Sequence, residues 1–148
     1  AIAEETVETN LLGPIRLTAA LLPHLLKQPK ATILTVSSGL AFVPLAVTPT
    51  YSATKAALHS WSMSLRHQLK GSSTQVVEIA PPYVQTELRG PEQAVDPLAM
   101  PLADFIAEVM AILETDAEEV IVERCKPLRF AAENGNLAGV FAMVNGQH

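Results

Sequence analysis

The sequence predicts an α/β fold in which helices flank a parallel sheet, and three observations lead to this class. Short apolar segments rich in β-branched residues alternate with longer segments of helical periodicity. Strands separated in this way by helices pair in parallel through right-handed crossovers. The chain has 148 residues, of which 49% are hydrophobic and 17% charged, and this composition suits one compact domain over residues 1–148.

The first half of the chain predicts a helix, a strand and a second helix. Apolar residues recur at helical spacing over residues 3–27, and residues 31–36 are typical of a parallel strand that is buried on both faces. Two serines and a glycine at residues 37–39 end that strand. The second helix is predicted over residues 49–70, because proline suits the first helical turn and Gly71 follows the last.

The second half predicts two further strands and less regular connections. Residues 74–80 form a predicted strand that Pro81 and Pro82 end, and residues 83–100 form a proline-containing loop. A helix with one apolar stripe starts at Pro101, and residues 120–122 form a third short strand. The tail over residues 128–144 has helical spacing that two glycines weaken.

Composition excludes several classes of protein. No apolar run approaches the roughly 18 residues that a membrane span needs, so we expect no membrane partner. The net charge of −5 argues against a nucleic-acid surface. A single cysteine, Cys125, excludes an internal disulfide and fits a reducing compartment such as the cytoplasm. We expect Cys125 to be a buried apolar side chain rather than a reactive thiol.

The histidines carry no metal-site signature. His24, His59, His67 and His148 have no ligand spacing with cysteines or carboxylates, and His59 and His67 are expected to face solvent or an interface. We therefore predict that the protein binds no metal.

Tyr51, Lys55 and Ser38 predict a proton-transfer site. Tyr51 and Lys55 lie four residues apart on a predicted helix, so their side chains share one face. An ammonium lowers the pKa of a neighbouring phenol from its ordinary value near ~10 toward a useful range. Ser38 lies thirteen positions before Tyr51, and its hydroxyl can hold a substrate oxygen beside the phenol. Together these groups suit the interconversion of an alcohol and a ketone.

Four motifs in this order resemble the short-chain dehydrogenase/reductase family. The stretch Tyr51-Ser-Ala-Thr-Lys55 resembles its active-site motif, and Thr35-Val-Ser-Ser38 resembles the strand end that carries its serine. Asn10-Leu-Leu-Gly13 is similar to a helix motif, and the segment from Ala80 to Thr86 is similar to the one that borders the nicotinamide. The match covers residues 6–88 well and the remainder by element order alone.

The resemblance implies a role for each matching residue. Tyr51 would be the general acid or base, and Lys55 would lower its pKa and bind the nicotinamide ribose. Ser38 would orient the substrate carbonyl, and Asn10 would support a proton relay to solvent. Cofactor contacts are implied for Tyr51, Lys55, Pro81, Val84 and Thr86, although Thr86 also suits a helix N-cap.

The chain departs from the family at two places. The family has Pro-Gly where this chain has Pro81-Pro82, and a proline cannot donate a backbone hydrogen bond there. This Ala-Pro-Pro variant is similar to a subgroup named after an oxidoreductase of lipoteichoic-acid D-alanylation operons, a name that gives no substrate. The sequence also has no G-x-G-x-x-G phosphate-binding fingerprint and no residue that would choose between NAD and NADP.

These departures predict the C-terminal part of a Rossmann-like doubly wound sheet from a longer oxidoreductase. The complete protein would use NAD or NADP on a small alcohol or carbonyl compound, and the 148-residue chain alone would bind neither nucleotide appreciably. The alternative is a non-catalytic remnant that acts as a self-associating or regulatory module. The resemblance also implies a homodimer or larger assembly through helices 3–27 and 49–70, and the bare edge of the first strand would favour association as well.

Overall fold

A computed structural model describes residues 1–146 and confirms an α/β fold with helices on both faces of a parallel sheet. Helix α1 is Ile2–Val7, a π-helical turn follows over Glu8–Leu12, and α2 is Gly13–Leu25. The other helices are α3 at Pro49–Gln68, α4 at Leu102–Leu113, α5 at Lys126–Arg129 and α6 at Leu137–Asn145. Short 3₁₀ turns occupy Gly39–Ala41, Pro91–Val95 and Glu123–Cys125.

The sheet has the order β1-β2-β3, with β1 at Ala31–Val36, β2 at Thr74–Ile79 and β3 at Glu119–Val120. Its parallel register runs from the Ala31–Thr74 pair to the Val36–Ile79 pair. The first strand is where the sequence predicted it. The third strand was predicted over residues 120–122 and is shorter, because Ile121 and Val122 do not pair with β2. Both side chains are nevertheless buried in the core.

Two apolar clusters cover the two faces of β2. Leu65 of α3 and Leu69, which caps its C-terminus, pack on Val76 from one side, and Val109 of α4 belongs to a cluster with Val120 on the other. The first strand, at the edge of the described sheet, is covered on one face only. On its other face the side chains of Leu34 and Val36 are 49% and 48% exposed, so the expectation that β1 is buried on both faces is wrong. None of the helices within residues 1–146 packs over that face of β1.

The tail divides into two helices rather than one. Helix α5 ends at Arg129, and Gly135, whose φ of +70° is in the left-handed region, lies in the turn before α6. In residues 1–146, no helix combines the length and the hydropathy of a membrane span.

Candidate active site

Ser38 is held at the carboxyl end of β1 by hydrogen bonds on both sides of it. The backbone N–H of Ser37 donates to the Ile79 carbonyl at 2.9 Å, and that of Gly39 donates to the Pro81 carbonyl at 2.9 Å. The Ser38 Oγ accepts the backbone N–H of Leu40 at 3.1 Å. Because this bond uses a lone pair of the oxygen, the Ser38 hydroxyl keeps its hydrogen to donate to the Tyr51 oxygen or to a substrate oxygen.

Gly39 allows this strand end to approach the C-terminal segment closely. A Cβ at Gly39 would lie 2.9 Å from Cys125 Sγ and 3.0 Å from a methyl of Leu128. Cys125 is fully buried, and burial raises the pKa of its thiol to about 12. The expectation that Cys125 is a buried side chain is therefore confirmed.

The first turns of α3 carry Tyr51 and Lys55 alongside the serine. The Lys55 Nζ donates to the Val36 carbonyl at 2.9 Å and lies 5.7 Å from the centroid of the Tyr51 ring. Val36 precedes the two serines of the β1 terminus, so this bond ties the helix to the strand end. Tyr51, Lys55 and Ser38 are thus brought together as their spacing predicted.

The charge environment of Tyr51 differs from the expectation. Burial raises the pKa of the phenol above its ordinary value, and it outweighs the hydrogen bond with Ser38 and the positive charge of Arg89, both of which lower the pKa. Lys55 does not counter this rise. Its Nζ is turned to a backbone carbonyl, and burial lowers its own pKa. The predicted lowering of the Tyr51 pKa by Lys55 is therefore wrong for this arrangement.

Asn10 is connected to the tyrosine through one intervening residue. It lies in the π-helical turn, and its Nδ2 donates to Thr54 Oγ1 at 3.2 Å. The Thr54 hydroxyl in turn donates to the backbone carbonyl of Tyr51 at 2.7 Å. Such single π-helical turns often occur at functional sites. Asn10 is thus half-buried and faces α3, although the contact it makes is with Thr54.

The segment after β2 is fixed by a residue that the sequence did not single out. Gln93 is buried, and its Nε2 donates to the Val84 carbonyl at 2.7 Å and to Thr86 Oγ1 at 3.1 Å. Its Oε1 accepts the backbone N–H of Arg89 at 3.0 Å. The Val84 side chain is part of the core, so its backbone is the part that can face a ligand. Thr86 also accepts the Leu88 N–H and is not a helix N-cap, since the next turn is capped by Gly90.

A second group of polar side chains lies beneath the serines. Glu78 of β2 is 0% exposed, and its carboxylate accepts the Ser37 hydroxyl at 2.6 Å and the His59 Nδ1 at 2.7 Å. The expectation that His59 faces solvent or an interface is therefore wrong, whereas His67 is exposed. The spacing of Ser37, His59 and Glu78 in the sequence gave no sign of this contact, because it joins two strands and a helix.

His59, Glu78 and Glu119 also have ligand atoms within 4.8 Å of one another. Arg129 already binds both Glu119 oxygens, at 2.7 and 3.1 Å, and Ser37 and His59 occupy Glu78. A cation would have to displace these partners. The absence of a metal therefore stays a prediction, and His148 lies outside the described residues.

Comparisons with known proteins agree with this geometry. Residues 1–96 match the short chain dehydrogenase family. An uncharacterized oxidoreductase DltE of Bacillus subtilis is 43% identical over 146 residues, covering 97% of this chain and 58% of its own length. Serine 3-dehydrogenase of Agrobacterium fabrum is 38% identical over 81 residues, covering 55% of this chain and 32% of its own. A Burkholderia cenocepacia short chain dehydrogenase in complex with NADP superposes with a TM-score of 0.80 and 26% identity, over 92% of this chain and 58% of its own.

The parallel sheet flanked by helices is of the Rossmann type. The chain belongs to the short-chain dehydrogenase/reductase family. It spans 58% of the length of the Bacillus relative, and the similarity to that protein agrees with the subgroup indicated by the Ala-Pro-Pro variant. The comparisons give no support to the alternative of a non-catalytic module.

Proposed function

We propose that this chain carries the catalytic part of an NAD(P)-dependent oxidoreductase that interconverts a small alcohol and its carbonyl compound. The observation that carries the proposal is the meeting of Ser38, Tyr51 and Lys55 where β1 ends. The Ser38 hydroxyl lies at the end of β1, and the Tyr51 phenol and the Lys55 ammonium lie on α3. The bond from Lys55 to the Val36 carbonyl joins these two elements.

Each group has a defined task in this reaction. The Ser38 hydroxyl donates to the substrate oxygen and holds it beside the phenol. Because the pKa of Tyr51 is raised, its phenol is protonated at neutral pH and is ready to give its proton to a carbonyl oxygen. In the oxidation direction the same oxygen accepts the proton of the alcohol. Asn10 and Thr54 hold the turn of α3 that carries Tyr51, and Asn10 supports the relay to solvent that the resemblance implies.

The donors that remain free fit the nicotinamide end of a dinucleotide, which supplies the hydride. Lys55 uses one N–H on Val36, so its other ammonium hydrogens can bind ribose hydroxyls. The Thr86 hydroxyl accepts two hydrogen bonds and keeps its own hydrogen to donate. Val84 and Pro81 flank this position, and the Pro81 carbonyl is engaged by Gly39. The Burkholderia relative contains NADP, while the choice between NAD and NADP by this protein is left to the test below.

The phosphate-binding part would come from a preceding βαβ segment of the same protein. The chain spans 58% of its Bacillus relative, and its sequence has no Gly-rich fingerprint. That segment would pair with the open edge of β1 and cover Leu34 and Val36, which are both about half exposed. We place the protein in the cytoplasm on the basis of its single, unpaired cysteine.

The test is the substitution Tyr51→Phe in the complete reading frame that encodes this chain. Turnover should fall by about 10²–10⁴-fold, since the phenol hydroxyl transfers the proton, while cofactor affinity stays nearly unchanged because the ring is retained. Tyr83→Phe is the matched control, because that phenol is on the loop after β2 and donates to Asp96 instead. Lys55→Ala should reduce both turnover and cofactor binding. Steady-state kinetics on a panel of alcohols and ketones, with NAD and with NADP, measures all three. A Tyr51→Phe variant that keeps more than about a tenth of wild-type kcat would refute the proposal.

We also propose that the protein self-associates through the first helical segment and α3, as the resemblance implies. Leu17 and Leu21 of α2 are 61% and 45% exposed, and Met63 of α3 is 53% exposed. Trp61 packs against the Leu65 cluster and is therefore a poor probe of an interface. Light scattering should show a dimer or larger assembly that Leu21→Glu dissociates and that Leu98→Glu, at a 74% exposed residue of the loop before α4, leaves intact. A monomeric wild-type protein at micromolar concentration would contradict this proposal.

A further inference from the structure

Glu78 is a buried carboxylate for which the proposed reaction has no use. It is 0% exposed on the central strand β2, and it is the largest of the fully buried side chains of the described residues. A buried charge is costly unless it is paired and hydrogen-bonded. Glu78 is hydrogen-bonded to two partners, the Ser37 hydroxyl at 2.6 Å and the His59 Nδ1 at 2.7 Å.

The positions of these partners relate the network to the reaction site. Ser37 immediately precedes Ser38, and its hydroxyl joins the strand end to Glu78. His59 follows Lys55 by one helical turn and Tyr51 by two, so the three share a face of α3. Glu78 therefore links the residue beside the serine to the face that carries the tyrosine and the lysine.

Arg129 is paired with carboxylates other than Glu78, and the Glu78 carboxylate contacts His59. Arg129 is held by both oxygens of Glu119 and by the exposed Glu133, so its charge is already matched. The Phe42 ring packs edge-to-face against the His59 imidazole, with 4.6 Å between the ring centroids. The guanidinium of Arg129 lies over the same Phe42 ring. His59 is thereby fixed in position as well as bonded, since its side chain is only 18% exposed.

We propose that Ser37, Glu78 and His59 are positioning residues that hold Ser38 in register with Tyr51 and Lys55. Their link acts together with the bond from Lys55 to Val36, so that two neighbouring turns of α3 are each tied to the last residues of β1. Without the Glu78 link, Ser38 keeps its backbone bonds and the strand end keeps its tie to Lys55, but the second tie to α3, through His59, is lost. A misplacement of about 1 Å at a reacting group can cost about 10²-fold in rate.

The test compares Ser37→Ala with Ser62→Ala in the complete protein, and it rests on the proposed oxidoreductase activity. Ser62 is a matched control: its Oγ lies 2.8 Å from Thr35 Oγ1, so this buried hydroxyl pair also joins α3 to β1, but outside the network around Ser38. Ser37→Ala should lower kcat about tenfold, leave both KM values within about threefold, and raise the primary deuterium isotope effect with deuterated cofactor. Ser62→Ala should lower the melting temperature and leave kcat and the isotope effect unchanged.

A conservative substitution separates geometry from charge. Glu78→Gln keeps an oxygen for Ser37 and offers an N–H to the other tautomer of His59, so its kcat should stay within about threefold of wild type. Glu78→Ala should lose at least as much rate as Ser37→Ala. A Ser37→Ala enzyme with more than half the wild-type kcat, or an equal loss in Ser62→Ala, would overturn the proposal.

Crystal structures of the two serine variants decide the question without turnover. The proposal requires the Ser38 Oγ to move relative to the Tyr51 oxygen in Ser37→Ala and to stay in place in Ser62→Ala. An unchanged Ser38 in both would overturn it. A wild-type protein that is inactive on every substrate would count against the proposed function, while the two structures would still test the network.

Discussion

Gly39 makes the packing behind Ser38 a sharp test of the structure. The substitution Gly39→Ala adds one methyl group, which would lie 2.9 Å from Cys125 Sγ and 3.0 Å from a Leu128 methyl. Real Cβ atoms do not approach other atoms so closely, so a neighbour has to move. Cys125 is 0% exposed, and buried side chains are packed at a density that leaves little room for an added methyl group.

The magnitude follows from the cost of overpacking. An added methyl in a filled core destabilises a protein by about 1–3 kcal/mol. For a domain of about 150–250 residues, each kcal/mol lowers the melting temperature by about 2–4 °C. We therefore expect Gly39→Ala to melt about 2–12 °C below the wild-type protein.

A double-mutant cycle assigns this cost to the cysteine. Cys125→Ala removes the sulfur that the new methyl meets, so the two substitutions together should be less destabilising than their sum by about 1–2 kcal/mol. Gly71→Ala is the control: Gly71 has a φ of +83° and no atom within 4 Å of the added Cβ, so its cost comes from the backbone alone. Cys125→Ala should not relieve that cost.

Thermal melts and denaturant titrations of the four Gly39 and Cys125 combinations provide the measurement. If the free energy of unfolding of Gly39→Ala lies within about 0.5 kcal/mol of the wild-type value, the close packing of Gly39 against Cys125 and Leu128 is refuted. A change that small is typical of substitutions on the surface and not of substitutions in a packed core. Strict additivity with Cys125→Ala would refute the assignment to the sulfur.

Further predictions concern the thiol, the loop, the tyrosine and the isolated chain. Cys125 should react with a thiol reagent at the rate of unfolding, because its burial and raised pKa leave almost no accessible thiolate; rapid labelling of the native protein would contradict this. Gln93→Leu should raise the KM for the cofactor and speed proteolysis of the loop after β2, since it removes three hydrogen bonds; an unchanged KM would show that the loop needs no such support. The raised pKa of Tyr51 predicts that oxidation accelerates as pH rises through the alkaline range, whereas reduction slows; a flat pair of pH–rate profiles would argue against Tyr51 as the acid and base. Calorimetry on residues 1–148 alone should detect no micromolar binding of NAD or NADP, because the chain has no phosphate-binding fingerprint.

Local signals in the sequence were strong enough to predict most elements. The β-branched run of β1 and the proline and glycine that bracket α3 gave bounds that the structure reproduces within two residues at each end. The tail was harder, because its helical spacing continues across Gly135, where a left-handed φ interrupts the helix. The spacing of apolar residues predicts that a segment is helical. It does not show where a left-handed backbone conformation, such as that of Gly135, interrupts the helix.

The meeting of Ser38 with Tyr51 and Lys55 was also predictable, because a motif with fixed spacing places a strand end beside the start of the next helix. The electrostatic result was not. The pKa of Tyr51 depends on how deeply the phenol is buried and on the direction in which the Lys55 ammonium points. Both are properties of packing among several elements.

By itself, then, the sequence determined the order of elements, the parallel sheet and the identity of the residues at the end of β1, since each depends on composition and periodicity within a short segment. Tertiary structure alone decided that Glu78 joins Ser37 to His59, that Gln93 holds the loop after β2, and that Gly39 leaves room for Cys125. These contacts join residues up to 86 positions apart in the chain, and no local pattern records them. They form because burying a carboxylate, an amide or a thiol requires partners or space that other elements must supply.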